Sequence, residues 1–174
     1  GAGSATGYAI WLVAAAVVGF LVSYVGVSGL DLPRNWFVLL HALTSGTLIV
    51  GYCRWAAIDW LQIRCNWPLG LVFGALAAGV SIRFGLMQPA SAGPAGLEGV
   101  LSLLWLGLVY GVVDTMLLNL LPVHAVWRIA WLTGVLSSKL GWVGTGLAAL
   151  LVSGSVTVAY HLGFPEFQGA SLMH

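Results

Sequence analysis

The sequence predicts an all-α fold, a polytopic helical bundle of the integral membrane class with five or six transmembrane helices. Three observations predict it. Hydrophobic residues make up 60% of the 174 residues and charged residues only 6%, against roughly 25% charged in soluble domains. Mean hydropathy is +0.99. Apolar stretches of about 20 residues, long enough for a hydrocarbon core of roughly 30 Å, recur along the chain. Six basic and five acidic side chains cannot solvate a globule of this size, which excludes the water-soluble, disordered and disulfide-scaffold classes. The near-zero net charge and the lack of a basic run exclude nucleic acid as a partner. The lipid bilayer is the partner that the composition requires. Other membrane subunits or a homo-oligomer are compatible with it.

Residues 1–7 are small and read as a flexible tail, either native or an expression scar. The first span runs from Tyr8 to about Val27. It lacks a basic leading region and is too long for a signal-peptide core. The turn Ser28–Asn35, with Pro33, breaks it. The second span runs from Trp36 to about Ala57. Residues 59–66 follow, with Trp60 and Trp67 placed as headgroup-layer anchors. The third span, Pro68 to about Met87, opens on a proline at a tolerated first-turn position. The loop Gln88–Gly96 is the clearest break in the chain.

The fourth span runs from Leu97 to Leu121 and stops at Pro122. The stretch His124–Leu140 carries Arg128, Lys139, two Trp and two Ser. It reads either as a short fifth span or as a helix lying in the interface. The last span runs from Gly141 to about Leu162, closing a transmembrane domain over 8–162, and residues 163–174 read as a polar tail. No internal repeat supports an inverted-repeat transporter. With six spans the basic residues tie, Arg54, Arg64 and Arg128 against Arg34, Arg83 and Lys139. With 124–140 in the interface, Lys139 changes sides. The positive-inside rule then places the N-terminus in the cytoplasm, and the membrane is expected to be a bacterial inner membrane.

Ionisable groups at membrane depth are costly, so each is a candidate working group. Asp114 lies deep in the fourth span, with Tyr110 at i−4 on its face and a small-residue line at Gly107, Gly111 and Thr115 that permits close helix contact. It reads as a ligand-binding, proton-relay or metal-binding carboxylate, or as half of a structural ion pair, for example with Arg83. His41 is an early residue of the second span, and Ser45 shares its face. It reads as a ligand or as a histidine bonded to a neighbouring helix. Ser153, Thr157 and His161 form a stripe on the last span, suited to interhelical hydrogen bonds. His161 and Glu166 flank a Gly/Pro turn that can bring them together as metal ligands or as a base with its orienter. Metal candidates are therefore His161, Glu166 and His41. No cofactor is implied strongly; His41 and His161 are the only pair suited to a b-type haem. His124 reads as interfacial, and Cys53 and Cys65 as free thiols or a disulfide. HExxH, Walker and CxxCH motifs are absent.

Tyr110-Gly111-Val-Val-Asp114-Thr-Met-Leu-Leu-Asn-Leu-Leu-Pro122-Val and Ala159-Tyr160-His161-Leu-Gly163-Phe-Pro-Glu166-Phe167 resemble the motifs YGxxDxxLLxxLPV and AYHLGxxEF of an uncharacterised family of bacterial multi-pass membrane proteins. The match is local, about 22 residues, and implies no assigned activity. Chains of that family run on beyond the point where this sequence ends. A remoter similarity is to CAAX-protease-like membrane proteins. Phe37 and His41 fit that family's FxxxH spacing, but its leading EExxxR motif is absent here, which argues against proteolysis.

The functional expectation is a non-enzymatic integral membrane protein, an accessory, binding or transport component with a polar intramembrane site around Asp114 and His161, and with Tyr110 and His41 as further ligand-binding candidates. The first alternative is an intramembrane hydrolase, metal-dependent or not, that uses Asp114, His161 and Glu166 as catalytic groups. It requires those side chains to converge around an aqueous cavity. The second is a small-solute carrier, which requires a midplane cavity at Asp114 among discontinuous helices.

Overall fold

The computed structural model describes residues 3–59 and 96–168, with isolated positions between Pro68 and Met87. The described residues are all-helical, without a strand. Helix α1 spans Ala5–Ser23 and runs on as a π-helical turn, Tyr24–Gly29. Helix α2 spans Arg34–Trp55. Helix α3 is continuous over Gly96–Leu132, and α4 spans Lys139–His161. Short 3-10 turns follow α3 at Val135–Ser137 and α4 at Pro165–Phe167. All four helices are long and apolar enough to cross a membrane. The expected span Pro68–Met87 lies largely outside the described residues, as do Trp60, Trp67, Cys65, most of the loop 88–96 and His174.

Local chemistry sets the ends. Ser4 caps α1, its hydroxyl accepting from the Gly7 backbone N–H at 3.0 Å, so the helix starts three residues before the expected Tyr8. At the end of α2, the N–H groups of Ala57 and Ile58 return to the Arg54 and Cys53 carbonyls. Ala57 takes the left-handed position of this closing turn, with φ 49°, where glycine is usual. Gly134 fills the same place after α3, with φ 74°.

The expected stop at Pro122 is overturned. Helix α3 runs through the proline to Leu132, so His124–Leu140 is neither a separate span nor a separate interfacial helix. In an α-helical register the nitrogen of residue 122 would bond the Leu118 carbonyl, and proline has no N–H to offer. Two features resolve the conflict. Met116–Leu120, just before the proline, is π-helical, which changes the bonding register. The Ser153 hydroxyl on α4 donates to the Leu118 carbonyl at 2.6 Å. A neighbouring serine thus satisfies a carbonyl at the kink-prone site, as membrane helices require.

Helices α1 and α4 run parallel, and α2 and α3 run the opposite way. Helix α1 packs against all three others. At one end of the bundle the Ser23 hydroxyl bonds the Tyr160 carbonyl at 2.6 Å and the Ser28 hydroxyl bonds the Gly163 carbonyl at 2.7 Å. Gly163 lies so close to Ser23 and the Tyr24 backbone that no side chain fits there. The Gln168 amide caps the same carbonyl, so residues 163–168 are tied onto α1. The core between the ends contains Ala15, Val22, Ile49, Leu117, Leu121, Ala149 and Val156, whereas leucines and valines cover the exterior. The small-residue line on α3 makes no close packing among the described residues: a methyl group on Gly107 or Gly111 would meet nothing within 4 Å.

Candidate functional site

The buried stripe of α2 is Phe37, His41, Ser45, Ile49 and Tyr52. Steps of four, four, four and three put these side chains on one helical face. Apolar burial of that face carries His41 and Ser45 inward, and both are 0% exposed. The His41 Nδ1 lies 3.2 Å from the Ser45 hydroxyl. Its Nε2 faces the Asp114 Oδ1 of α3 at 3.7 Å. Neither of these two facing atoms has a hydrogen-bond partner among the described residues. A separation of 3.7 Å exceeds a direct hydrogen bond and remains within ion-pair range. Arg83, the partner considered from sequence, is exposed and makes no ion pair with Asp114.

Asp114 sits at the middle of α3, eighteen residues from Gly96 and eighteen from Leu132. It belongs to a six-residue α-helical segment, Tyr110–Thr115, between the π-helical segments Leu103–Val109 and Met116–Leu120. π-Helical turns are rare and recur at functional sites. Aromatic rings enclose the pair. Phe37 stacks on His41 with centroids 6.1 Å apart, and Tyr110 and Tyr160 lie at 5.4 and 5.5 Å from it. The two tyrosine hydroxyls bond each other at 2.6 Å. An isolated charge in this setting is expensive. With one titratable proton on the pair, either the ion pair or the neutral pair carries no net charge.

A cavity of about 310 Å³ opens at the end of the bundle where α2 begins. It is lined by Arg34, Phe37, Val38, Tyr110, Phe164 and Glu166, among others. Tyr110 therefore belongs both to this cavity and to the surroundings of His41. His161 is placed elsewhere. Its Nδ1 donates to the Thr157 carbonyl at 2.8 Å, and its ring packs on Tyr160 and Phe167. It lines a smaller recess of about 210 Å³ with Thr157, Val158, Leu162 and Phe167. Glu166 lines the larger cavity and His161 the smaller recess. Along the stripe of α4, Ser153 bonds across to α3, whereas Thr157 and His161 bond back to their own helix. Among the described residues no three His, Cys, Asp or Glu side chains converge to hold a metal. Cys53 is a free thiol.

Sequence reasoning singled out His41, Asp114 and Tyr110, but did not pair His41 with Asp114. It also missed a second polar cluster at the opposite end. There the Tyr52 hydroxyl meets the His124 Nδ1 at 2.6 Å, and the Arg128 Nε donates to the Tyr8 hydroxyl at 3.2 Å. The Arg128 guanidinium lies 4.7 Å from the Trp131 ring centre, a cation–π contact. His124 is thus half-buried between helices. The available signal was positional: Tyr8, Tyr52 and Arg128 all fall near span ends.

Comparison of the chain with protein-family models, curated proteins and solved structures finds no match.

Proposed function

We propose that the chain is a non-enzymatic, multi-pass integral membrane protein, a binding or transport component whose working group is the His41–Asp114 pair. The pair takes up a proton, or a small hydrogen-bonding solute, between the two side chains. The observation that carries this reading is the fully buried His41 Nε2 facing the Asp114 Oδ1 at 3.7 Å, neither atom having a hydrogen-bond partner among the described residues. Buried polar atoms are normally satisfied, and an unsatisfied facing pair supports a site that receives something.

The topology supports five spans. Helix α2 ends at one end of the bundle and α3 begins at the other. The connecting chain has to return over the bundle's height, a passage that the apolar stretch Pro68–Met87 is long enough to make. On α1–α4 and their described flanks, the basic residues Arg54, Arg128 and Lys139 gather at the N-terminal end, against Arg34 at the other; with Arg64 and Arg83 assigned by a five-span order, the count is four against two. The positive-inside rule then puts the N-terminus in the cytoplasm, within a bacterial inner membrane.

Proton counting tests the reading. For a pair that shares one proton, the protons lost across an acid-to-neutral titration on Asp114→Asn and on His41→Gln are expected to be non-additive, the double variant losing about one proton per chain and no more than either single variant. Additive losses in equally folded, detergent-purified proteins would leave the two residues independent and the pair a structural contact.

One observation favours a second reading. Ser45, His41 and Asp114 follow one another in the order nucleophile, base, carboxylate, an arrangement suited to an intramembrane hydrolase different from the one built on His161 and Glu166. The full burial of Ser45 and His41 weighs against it. Covalent labelling of Ser45 by a fluorophosphonate would support it; an unlabelled, folded protein would remove it.

A further inference from the structure

We infer that the His41–Asp114 pair communicates with one side of the membrane only, through Tyr110 and the cavity at the Arg34/Glu166 end. This rests on the reading of that pair as the working group. The connection to the cavity is direct. Tyr110 lines the cavity, its ring lies 5.4 Å from His41, and its hydroxyl bonds the Tyr160 hydroxyl at 2.6 Å. Tyr160 in turn lies 5.5 Å from the His41 ring. One hydrogen-bonded pair of phenols therefore touches both the open cavity and the buried imidazole. The titratable side chains around His41 are Tyr110 and Asp114 from α3 and Tyr160 from α4, with His161 of α4 within electrostatic reach of Asp114.

Among the described residues of α1, α2 and α3, the opposite direction is closed by apolar side chains. On α2, Ile49 stands between Ser45 and Tyr52 and is 4% exposed. On α3, Leu117 and Leu121 stand between Asp114 and His124, both fully buried. Fully buried Ala15 belongs to the same core from α1. Aliphatic side chains offer no hydrogen bond to a proton or a water, and such layers block passage by excluding water. A groove of about 470 Å³ between α2 and α3 does reach this depth from the N-terminal end. Its inner wall is Gly46, Ile49, Val50, Val113 and Met116, and its polar residues Cys53 and Arg54 lie nearer that end. It brings no hydrogen-bonding side chain to Asp114.

The charges at the two ends agree with this direction. Counting α1–α4 and their described flanks alone, the cavity end carries Asp31, Glu98 and Glu166 against Arg34, and the other end carries Arg54, Arg128 and Lys139 against Asp59. An excess of acidic groups around a mouth raises the local concentration of cations, protons included.

The test is a rapid acid jump applied outside membrane vesicles of each orientation, with the carboxyl band of Asp114 followed by infrared difference spectroscopy. Vesicles with the cavity end outward are expected to protonate at least tenfold faster than vesicles with that end inward. Tyr110→Phe, which keeps the ring, is expected to slow the fast response at least tenfold, and Tyr52→Phe to leave it unchanged. Ile49→Asn is expected to open the second route and make both orientations fast. Equal rates in the wild type, or no effect of Tyr110→Phe, would overturn one-sided access while the pair stands. A wild-type band that persists in Asp114→Asn would instead overturn the reading of the pair itself.

Discussion

Replacing Ser153 by alanine leaves the Leu118 carbonyl facing Pro122, which cannot donate to it, inside a bundle read as spanning a bilayer. The Ser153 hydroxyl lies 2.6 Å from that carbonyl and 3.1 Å from the Asn119 Oδ1. It has one proton, so the shorter contact to the carbonyl is the one that counts. Interhelical hydrogen bonds in membranes are worth about 0.6 kcal/mol on average and up to about 1.7. Orphaning a buried acceptor costs about 1–3 kcal/mol. The expected loss for Ser153→Ala is therefore about 1.5 kcal/mol. In a Pro122→Ala background the backbone N–H of residue 122 returns, and the same substitution is expected to cost less than half as much. The coupling, at least about 0.8 kcal/mol, is read from a double-mutant cycle. The assay is reversible unfolding in mixed micelles titrated with a denaturing detergent, followed by tryptophan fluorescence. An equal cost in both backgrounds would refute the assignment of Ser153 as the replacement donor.

Other substitutions test other parts of the structure. Gly163→Ala forces a methyl group onto the Tyr24 backbone nitrogen, at 2.6 Å, and is expected to lower stability by about 1–3 kcal/mol, the usual range for overpacking. Gly111→Ala meets open space among the described residues; it is expected to be neutral or to stabilise by up to about 1 kcal/mol through helix propensity, a contrast visible in the same micelle titration. Ala57→Gly relieves the left-handed backbone at φ 49°. Its expected gain is about 0.5–1 kcal/mol, the αL cost of about 1–2 kcal/mol less the entropy penalty of glycine; a loss of stability would mean the turn is not strained. Tyr52→Phe removes the 2.6 Å contact to His124 and is expected to cost about 1 kcal/mol, with a shift of the His124 ring nitrogen resonances as an independent readout.

The helical class and the broad course of the chain were legible because apolar length against sparse charge is a local signal. The turn around Pro33 and the start of the last helix fall close to where Ser28–Asn35 and Gly141 suggested. The continuity of α3 was not legible. Pro122 is a local stop signal, and what offsets it is a serine 31 residues later on another helix. At the site, cost alone singled out Asp114 and His41 as expensive groups at depth. Their mutual contact depends on how far α2 and α3 slide past each other, which neither helix encodes alone. The tie of residues 163–168 onto α1 had a visible component, the Gly/Pro turn, but its anchor at Ser23 and Ser28 lies some 135 residues away.

The most direct measurement of the central claim is nitrogen NMR of the full chain in bilayer nanodiscs with labelled histidine, comparing wild type with Asp114→Asn. His41 Nε2 faces the Asp114 carboxylate and Nδ1 faces Ser45. The expected result is that the His41 ring nitrogens titrate in the wild type and change both shift and titration when Asp114 becomes asparagine, with His124, bonded to Tyr52 at the other end of the bundle, unmoved. Identical His41 resonances in the two proteins, at every pH, would contradict a working His41–Asp114 pair.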